Sequence, residues 1–299
     1  MWTKANMDDQ SGKTVIVTGA NAGVGFETAL ALYEKGADVI AACRSLQKAE
    51  EAIQKIKQHN GTGTLEAGVL DLSNLASVKQ FAADFTAKHK GLHILINNAG
   101  VMRPPATKTA EGFELQFGVN FIGHFALTGL LYPLLKATPG SRIVTVSSNA
   151  YLRGIIDFDN FRLEKPYDKG REYAQSKLAD ILLSIELQRR LAQTNDPVVS
   201  IAAQPGANNT GLLRYMDEEE LKASIARVGP LMEPWQGALP SLYAATVAGA
   251  IPGALYGPDQ DGGYRGYPAQ AAIEPHALDE QEAKRLWKYA EEVTGIVFS

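Results

Sequence analysis

The sequence predicts an α/β fold, a doubly wound parallel sheet with helices on both faces, built as one domain over 1–299. Three observations carry this. Short β-branched runs alternate with longer amphipathic segments. The short runs are almost continuously apolar, as strands covered on both faces are. A glycine-rich turn stands between the first run and the first amphipathic segment, the place where such folds receive a ligand.

The strands are expected at 15–17, 39–42, 65–70, 94–96, 143–146 and 198–202, with a seventh at 254–256. The pattern at 65–70 is the weakest. Helices are expected at 24–35, 45–59, 74–89, 111–136, 170–192 and 236–249. Ser45 and Asn74 each stand where a side chain can cap the first turn. Strand–helix alternation implies right-handed crossovers between parallel strands. Two stretches break the rhythm. The first is 149–169, with Pro166 and several aspartates. The second, 205–240, carries Pro205, Gly206, Gly211, Pro230, Pro234, Gly237 and Pro240 around a short acidic-led helix at 217–228. Connections this long inside a domain are usually functional, and 205–240 is expected to be a substrate loop. Residues 257–268, rich in Gly, Pro and Tyr, read as turns, and a last helix is expected at 279–293.

Composition narrows the function. The 299 residues carry a formal charge of −4 with the basic residues scattered, which gives no footprint for nucleic acid. The single cysteine, Cys43, allows neither an internal disulfide nor a cysteine metal cluster. His59, His89, His93, His124 and His276 have no metal-ligand spacing and read as surface or helix-packing residues, so no metal is expected. The N-terminus is polar and no run of about 18 apolar residues appears, so a cytoplasmic protein without a membrane span is expected.

Thr18-Gly19-Ala-Asn21-Ala-Gly23-Val24-Gly25 directly follows the first strand. Glycines let the chain turn tightly and a pyrophosphate approach, and the free N–H groups of the helix start hold it. The spacing Gly-x3-Gly-x-Gly differs from the usual dinucleotide fingerprint. At the end of the second strand, where a free ribose hydroxyl would call for an acid, stand Cys43 and then Arg44. A guanidinium can pair a 2′-phosphate through charge-assisted bonds, so NADP(H) is expected ahead of NAD(H). One such bond, ~1.5–3 kcal/mol, corresponds to a preference of roughly tenfold to a hundredfold. Asp71, with Leu72 beside it, is placed to contact the adenine, or else to cap the following helix. Asn98-Ala99-Gly100 ends the fourth strand, where small residues let the chain pass close to a ligand.

Tyr173 and Lys177 stand four apart in a helical segment and so share a face. Tyrosine is a poor acid or base at neutral pH, and a neighbouring ammonium favours its phenolate. Ser148, at the carboxyl end of the fifth strand, can donate to a substrate oxygen, with Ser147 as the alternative.

In this order, Thr18–Gly25, Asn97-Asn98-Ala99-Gly100, Asn120, Ser148 and Tyr173-x-x-x-Lys177 resemble the short-chain dehydrogenases/reductases over about 12–210, on a Rossmann fold. The resemblance implies Tyr173 as acid/base, Lys177 as its activator and a ligand of the nicotinamide ribose, and Ser148 as the oxygen-binding hydroxyl. It implies Asn120 as the support of a proton-relay water. Pro205-Gly206-Ala-Asn-Asn-Thr210 matches the segment beside the nicotinamide, with Asn208 in place of the usual aliphatic residue. Arg142-Ile-Val-Thr-Val-Ser-Ser148, the long gap to Tyr173, and Tyr173-Ala-Gln-Ser-Lys-Leu-Ala-Asp180 look like the retinol-dehydrogenase-like branch. That branch takes lipophilic aldehydes, ketones or alcohols; the membrane anchor of its animal members is expected to be lacking. Tyr151, Leu212, Leu213, Tyr215, Met232 and Trp235 are candidate pocket walls. Helices 111–136 and 170–192 resemble the family's pairing helices, which implies a homodimer or homotetramer. The competing readings are a cofactor-binding regulatory protein on the same fold, a protochlorophyllide-reductase-like double-bond reductase, and an epimerase or dehydratase.

Overall fold

The structure, a computed structural model, describes residues 1–298. Eight strands form one sheet in the order β3-β2-β1-β4-β5-β6-β7-β8. They are β1 (Thr14–Thr18), β2 (Asp38–Cys43), β3 (Thr64–Val69), β4 (Ile94–Asn97), β5 (Arg142–Val146), β6 (Val199–Ala203), β7 (Leu255–Gln260) and β8 (Arg265–Ala271). All neighbours pair in parallel except β7 and β8. The order reverses direction between β1 and β4, which opens a crevice at their carboxyl ends.

The apolar runs fill two cores because successive strand residues point to opposite faces. Ile16 and Ile40 join the core under α3 (Leu75–Lys88), α5 (Gly123–Lys136), α6 (Lys169–Gln193) and α9 (Glu280–Thr294). Val15, Val17, Val39 and Ala41 join the core under α1 (Gly23–Glu34), α2 (Leu46–Ile56) and α8 (Pro234–Thr246). The capping side chains act as expected: Ser45 accepts from Lys48 N, and Asn74 from Ala76 N and Ser77 N. Asp168 starts α6 in the same way.

Two expectations need correction. The helix read at 111–136 begins at Leu115, as the short α4 (Leu115–Phe117), and Glu114 caps it. A π-turn at Gly118–Ile122 joins α4 to α5. Residues 257–268, read as turns, instead form most of a hairpin between β7 and β8. Pro258 and Pro268 oppose each other beside a register shift on the edge of the sheet, where proline's missing N–H is tolerated. Asp259 Oδ1 accepts from Tyr267 N at 2.9 Å and braces the shift.

The continuous stretch Leu115–Lys136 is long and apolar enough by composition to cross a bilayer, yet 83% of its most apolar window is buried inside the domain. Its outer face is covered by the chain's own C-terminus. Trp287 and Phe298 pack on Phe125, at ring separations of 5.1 and 5.2 Å. A Cβ on Gly129 would meet Phe298 at 2.9 Å.

Candidate active site

A cleft of about 600 Å³ opens at the carboxyl ends of the strands. It is lined by Gly19, Asn21, Gly23, Val24, Gly25, Arg44, Asp71, Leu72, Asn98, Ala99, Gly100, Ser148, Tyr173, Lys177, Pro205, Gly206 and Thr210. Every catalytic and cofactor residue expected from the sequence except Asn120 therefore faces one space.

The glycine turn is shaped for close approach. Gly19 has φ +70°, and a Cβ there would lie 2.9 Å from Ala99 Cα. A Cβ on Gly25 would collide with Asn98 Nδ2 and Gly19 O. Thr18 fixes the neighbouring strand end: its Oγ1 accepts from Asn98 N and Ala99 N, each at 2.9 Å. Asn98 Nδ2 donates to Thr18 O at 2.7 Å. The result is a bare backbone cradle at the start of α1, which suits a dinucleotide pyrophosphate. Arg44 is exposed at the rim, and Lys48, one turn into α2, lines the same end. Cys43 is buried and its thiol is pushed up to about 11, chiefly by burial, so it packs rather than reacts. Asp71 Oδ1 accepts from Ser73 N and Oγ at 3.0 and 2.6 Å, which holds the turn into α3 while the carboxylate borders the cleft. Capping of α3 itself belongs to Asn74.

At the other end, Tyr173 and Lys177 are 6% and 5% exposed on α6, and Lys177 Nζ lies 6.0 Å from the centre of the Tyr173 ring. Lys177 Nζ donates to Val146 O at 3.0 Å and to Asp180 Oδ2 at 2.8 Å. Burial opposes the ammonium, but Asp180 and then Tyr173 outweigh it and raise the pKa. Asp180 is itself pushed up to about 7 by burial, against the pull of Lys177. Its Oδ1 has no hydrogen-bond partner. The two serines divide. Both line the cleft, but Ser147 is buried and its hydroxyl is committed to Lys177 O at 2.6 Å, whereas Ser148 is half-buried.

A family model described as short chain dehydrogenase matches residues 13–221. The chain belongs to the short-chain dehydrogenase family. It is 41% identical over 291 residues to retinol dehydrogenase 13 of Homo sapiens, covering 95% of this chain and 85% of that protein. It is 40% identical to retinol dehydrogenase 14 of Mus musculus, covering 96% and 87%. This places it in the retinol-dehydrogenase-like branch. A crystal structure of an uncharacterized protein from Mycobacterium Paratuberculosis superposes with a TM-score of 0.83 at 35% identity, covering 100% and 99% of the two chains.

Asn120 of this short-chain dehydrogenase is engaged from all sides by protein groups. It lies in the π-turn, fully buried, and its side chain does not face the cleft. Oδ1 accepts from Val101 N at 2.8 Å, and Nδ2 donates to Val101 O at 3.1 Å and Ser176 Oγ at 2.9 Å. Ser176 Oγ in turn donates to Tyr173 O at 2.8 Å. Asn120 is thus a brace between the strand-end loop and the helix of Tyr173. Its carbonyl is engaged by His124 Nδ1 at 2.8 Å. A carbonyl only accepts, so Nδ1 carries the proton. Nε2, 2.9 Å from Thr18 Oγ1, then accepts from that hydroxyl. Burial first, with the Lys177 charge adding to it, pulls His124 down to about 4 and keeps it neutral. His124, read from sequence as packing, ties the glycine turn to the π-turn. Its four-residue spacing from Asn120 was the available signal.

The substrate end of the dehydrogenase is narrower in origin than expected. Of the insert 149–169, Asn149, Ala150 and Arg153 reach the cleft. The rest is held against the core, as where Phe161 stacks on Phe117 at 4.2 Å. Leu212, Leu213 and Tyr215 are walls; Tyr151, Met232 and Trp235 are not. Tyr151 is buried and its hydroxyl donates to Ala272 O at 3.4 Å. Met232 is buried beneath Gly206, and Trp235 stands exposed at the start of α8. Met216 and Leu231 complete the apolar wall, and α7 (Glu218–Val228) contributes Ser224, Arg227 and Val228.

Proposed function

We propose that this short-chain dehydrogenase is a cytoplasmic NADP(H)-dependent oxidoreductase that interconverts lipophilic aldehydes or ketones with their alcohols. The observation that carries the reading is that Tyr173, Lys177 and Ser148 open onto the same cleft as the glycine turn. The bound dinucleotide would supply or accept the hydride. Ser148 would donate a hydrogen bond to the substrate oxygen, and Tyr173 would give that oxygen its proton on reduction or remove it on oxidation. Lys177, protonated and within 6.0 Å of the Tyr173 ring centre, favours the phenolate. Gly19, Gly23 and Gly25 would leave room for the pyrophosphate.

Arg44 and Lys48, both at the adenosine end, support selection of a 2′-phosphate. The apolar walls Leu212, Leu213, Met216 and Leu231 support a lipophilic substrate, as do the names of the retinol dehydrogenases it resembles. The test is NADPH and NADH consumption with a panel of apolar aldehydes and ketones, in wild type and Arg44→Ala. NADPH should be preferred by roughly tenfold to a hundredfold, with the preference largely lost in the variant. An equal effect of the substitution on both cofactors would reject the 2′-phosphate role, and no consumption of either would reject the oxidoreductase reading.

A further inference from the structure

The cleft contains more positive charge than a neutral lipophile needs. Arg103, Arg153, Arg214 and Arg227 all border its substrate end, while Asp71, at the cofactor end, is the one carboxylate lining it among the described residues. Two of the four are already engaged: Arg103 Nη1 lies 3.5 Å from Glu220, and Arg214 donates to Gly211 O at 2.8 Å. Arg153 and Arg227 have neither an ion pair nor a side-chain hydrogen bond among the described residues. Arg153 ends the short helix Asn149–Arg153 that begins at Ser148. Arg227 faces the cleft from α7. Burial first, then the charges of Arg227 and Arg103, lower the pKa of Arg153, while Tyr264 and Tyr173 pull it upward. Arg153 and Arg227 line one cleft without an acid of their own, and an anion received by both would relieve the repulsion between them. The apolar walls Leu212, Leu213, Met216, Val228 and Leu231 line the same end.

We propose that the substrate is an amphipathic anion, an apolar chain bearing a carboxylate or phosphate head group that Arg153 and Arg227 receive while the carbonyl or alcohol lies at Tyr173. This rests on the reading of the cleft as the pocket of a lipophilic-carbonyl oxidoreductase. It narrows the substrate class from neutral lipophiles to charged ones, such as oxo or hydroxy fatty acids or lipid phosphates.

Calorimetry on the enzyme loaded with NADP+ tests it without turnover, using decanoate, decyl phosphate and decanol as probes. At least one anion should bind about three- to tenfold tighter than decanol at low salt, a modest factor because both guanidiniums are partly in water. The advantage should shrink as salt rises and fall to about one in R153Q/R227Q. Because α7 is a surface helix, R227E alone should reverse the preference towards decanol. The tighter of the two anions identifies the head group. Decanol binding as tightly as both anions, or an anion advantage unchanged in R153Q/R227Q, would overturn the proposal. Decanal turnover with NADPH on the same preparation reads the underlying reaction. Anion preference without turnover would count against the reaction, and turnover without anion preference against the head group.

Discussion

Lys177 divides its ammonium between Val146 O and the buried carboxylate of Asp180, and that division controls how much positive field reaches Tyr173. Asp180 is pushed up to about 7. In its ionised form Asp180 offsets part of the ammonium's field at Tyr173. Asp180→Asn removes the offset at every pH. We therefore predict that the acid limb of kcat/KM for alcohol oxidation moves to lower pH by roughly one unit; an unmoved limb would show that the carboxylate has no hold on the proton transfer. The Tyr173–Lys177 pair was legible in the sequence because a spacing of four fixes one helical face. Asp180 was not singled out, although it follows Lys177 by three. Its weight comes from being 1% exposed, and burial on all sides of α6 is a property of the packed molecule rather than of the segment.

At the scale of elements, the π-turn is the part that positions the site. One extra residue in the turn at Gly118–Ile122 rotates Asn120 inward and brings His124 beneath the glycine turn. No propensity in Phe117-Gly-Val-Asn120-Phe-Ile-Gly-His124 announces such a turn, so the periodicity suggested one continuous helix over 111–136. Replacing His124 with alanine should cost about 2–4 kcal/mol in denaturant unfolding, because a cavity opens and Thr18 and Asn120 lose a buried partner. The same substitution should raise KM for NADPH, since Thr18 holds Asn98 and Ala99 at the cofactor end. A loss below about 0.5 kcal/mol, the scale of an ordinary surface change, would mean that the ring is mere filler. The β7–β8 hairpin escaped for a different reason. Its prolines and glycines resemble turn residues, and they pair only because β8 is the sheet's last strand.

Over the whole molecule, the alternation of strand and helix gave the sheet, its parallel sense and the position of the cleft, because each follows from local periodicity and right-handed crossovers. What local reading does not supply is long-range coverage. Helices α5 and α6, expected to pair between subunits, are covered by α9 and the residues after it. Trp287 meets Phe125, Arg190 stacks on Trp287 at 4.4 Å, and Phe298 meets Tyr132. Little apolar surface is left on those helices for a second copy. We predict that light scattering after gel filtration finds one chain per particle. A dimer that forms only after truncation of α9 would agree with this picture, and a stable dimer of the intact chain through α5 and α6 would not.

One measurement bears most directly on the hydride chemistry assigned to this cleft: NADPH consumption with a reactive apolar aldehyde by wild type and Tyr173→Phe, both shown by titration to bind NADPH. The phenylalanine variant keeps the ring's packing and loses only the hydroxyl. We predict that turnover falls by ~10²-fold or more, the scale of a lost general acid, with cofactor binding retained. Turnover near the wild-type rate in the variant would contradict the assignment of Tyr173 as the proton donor.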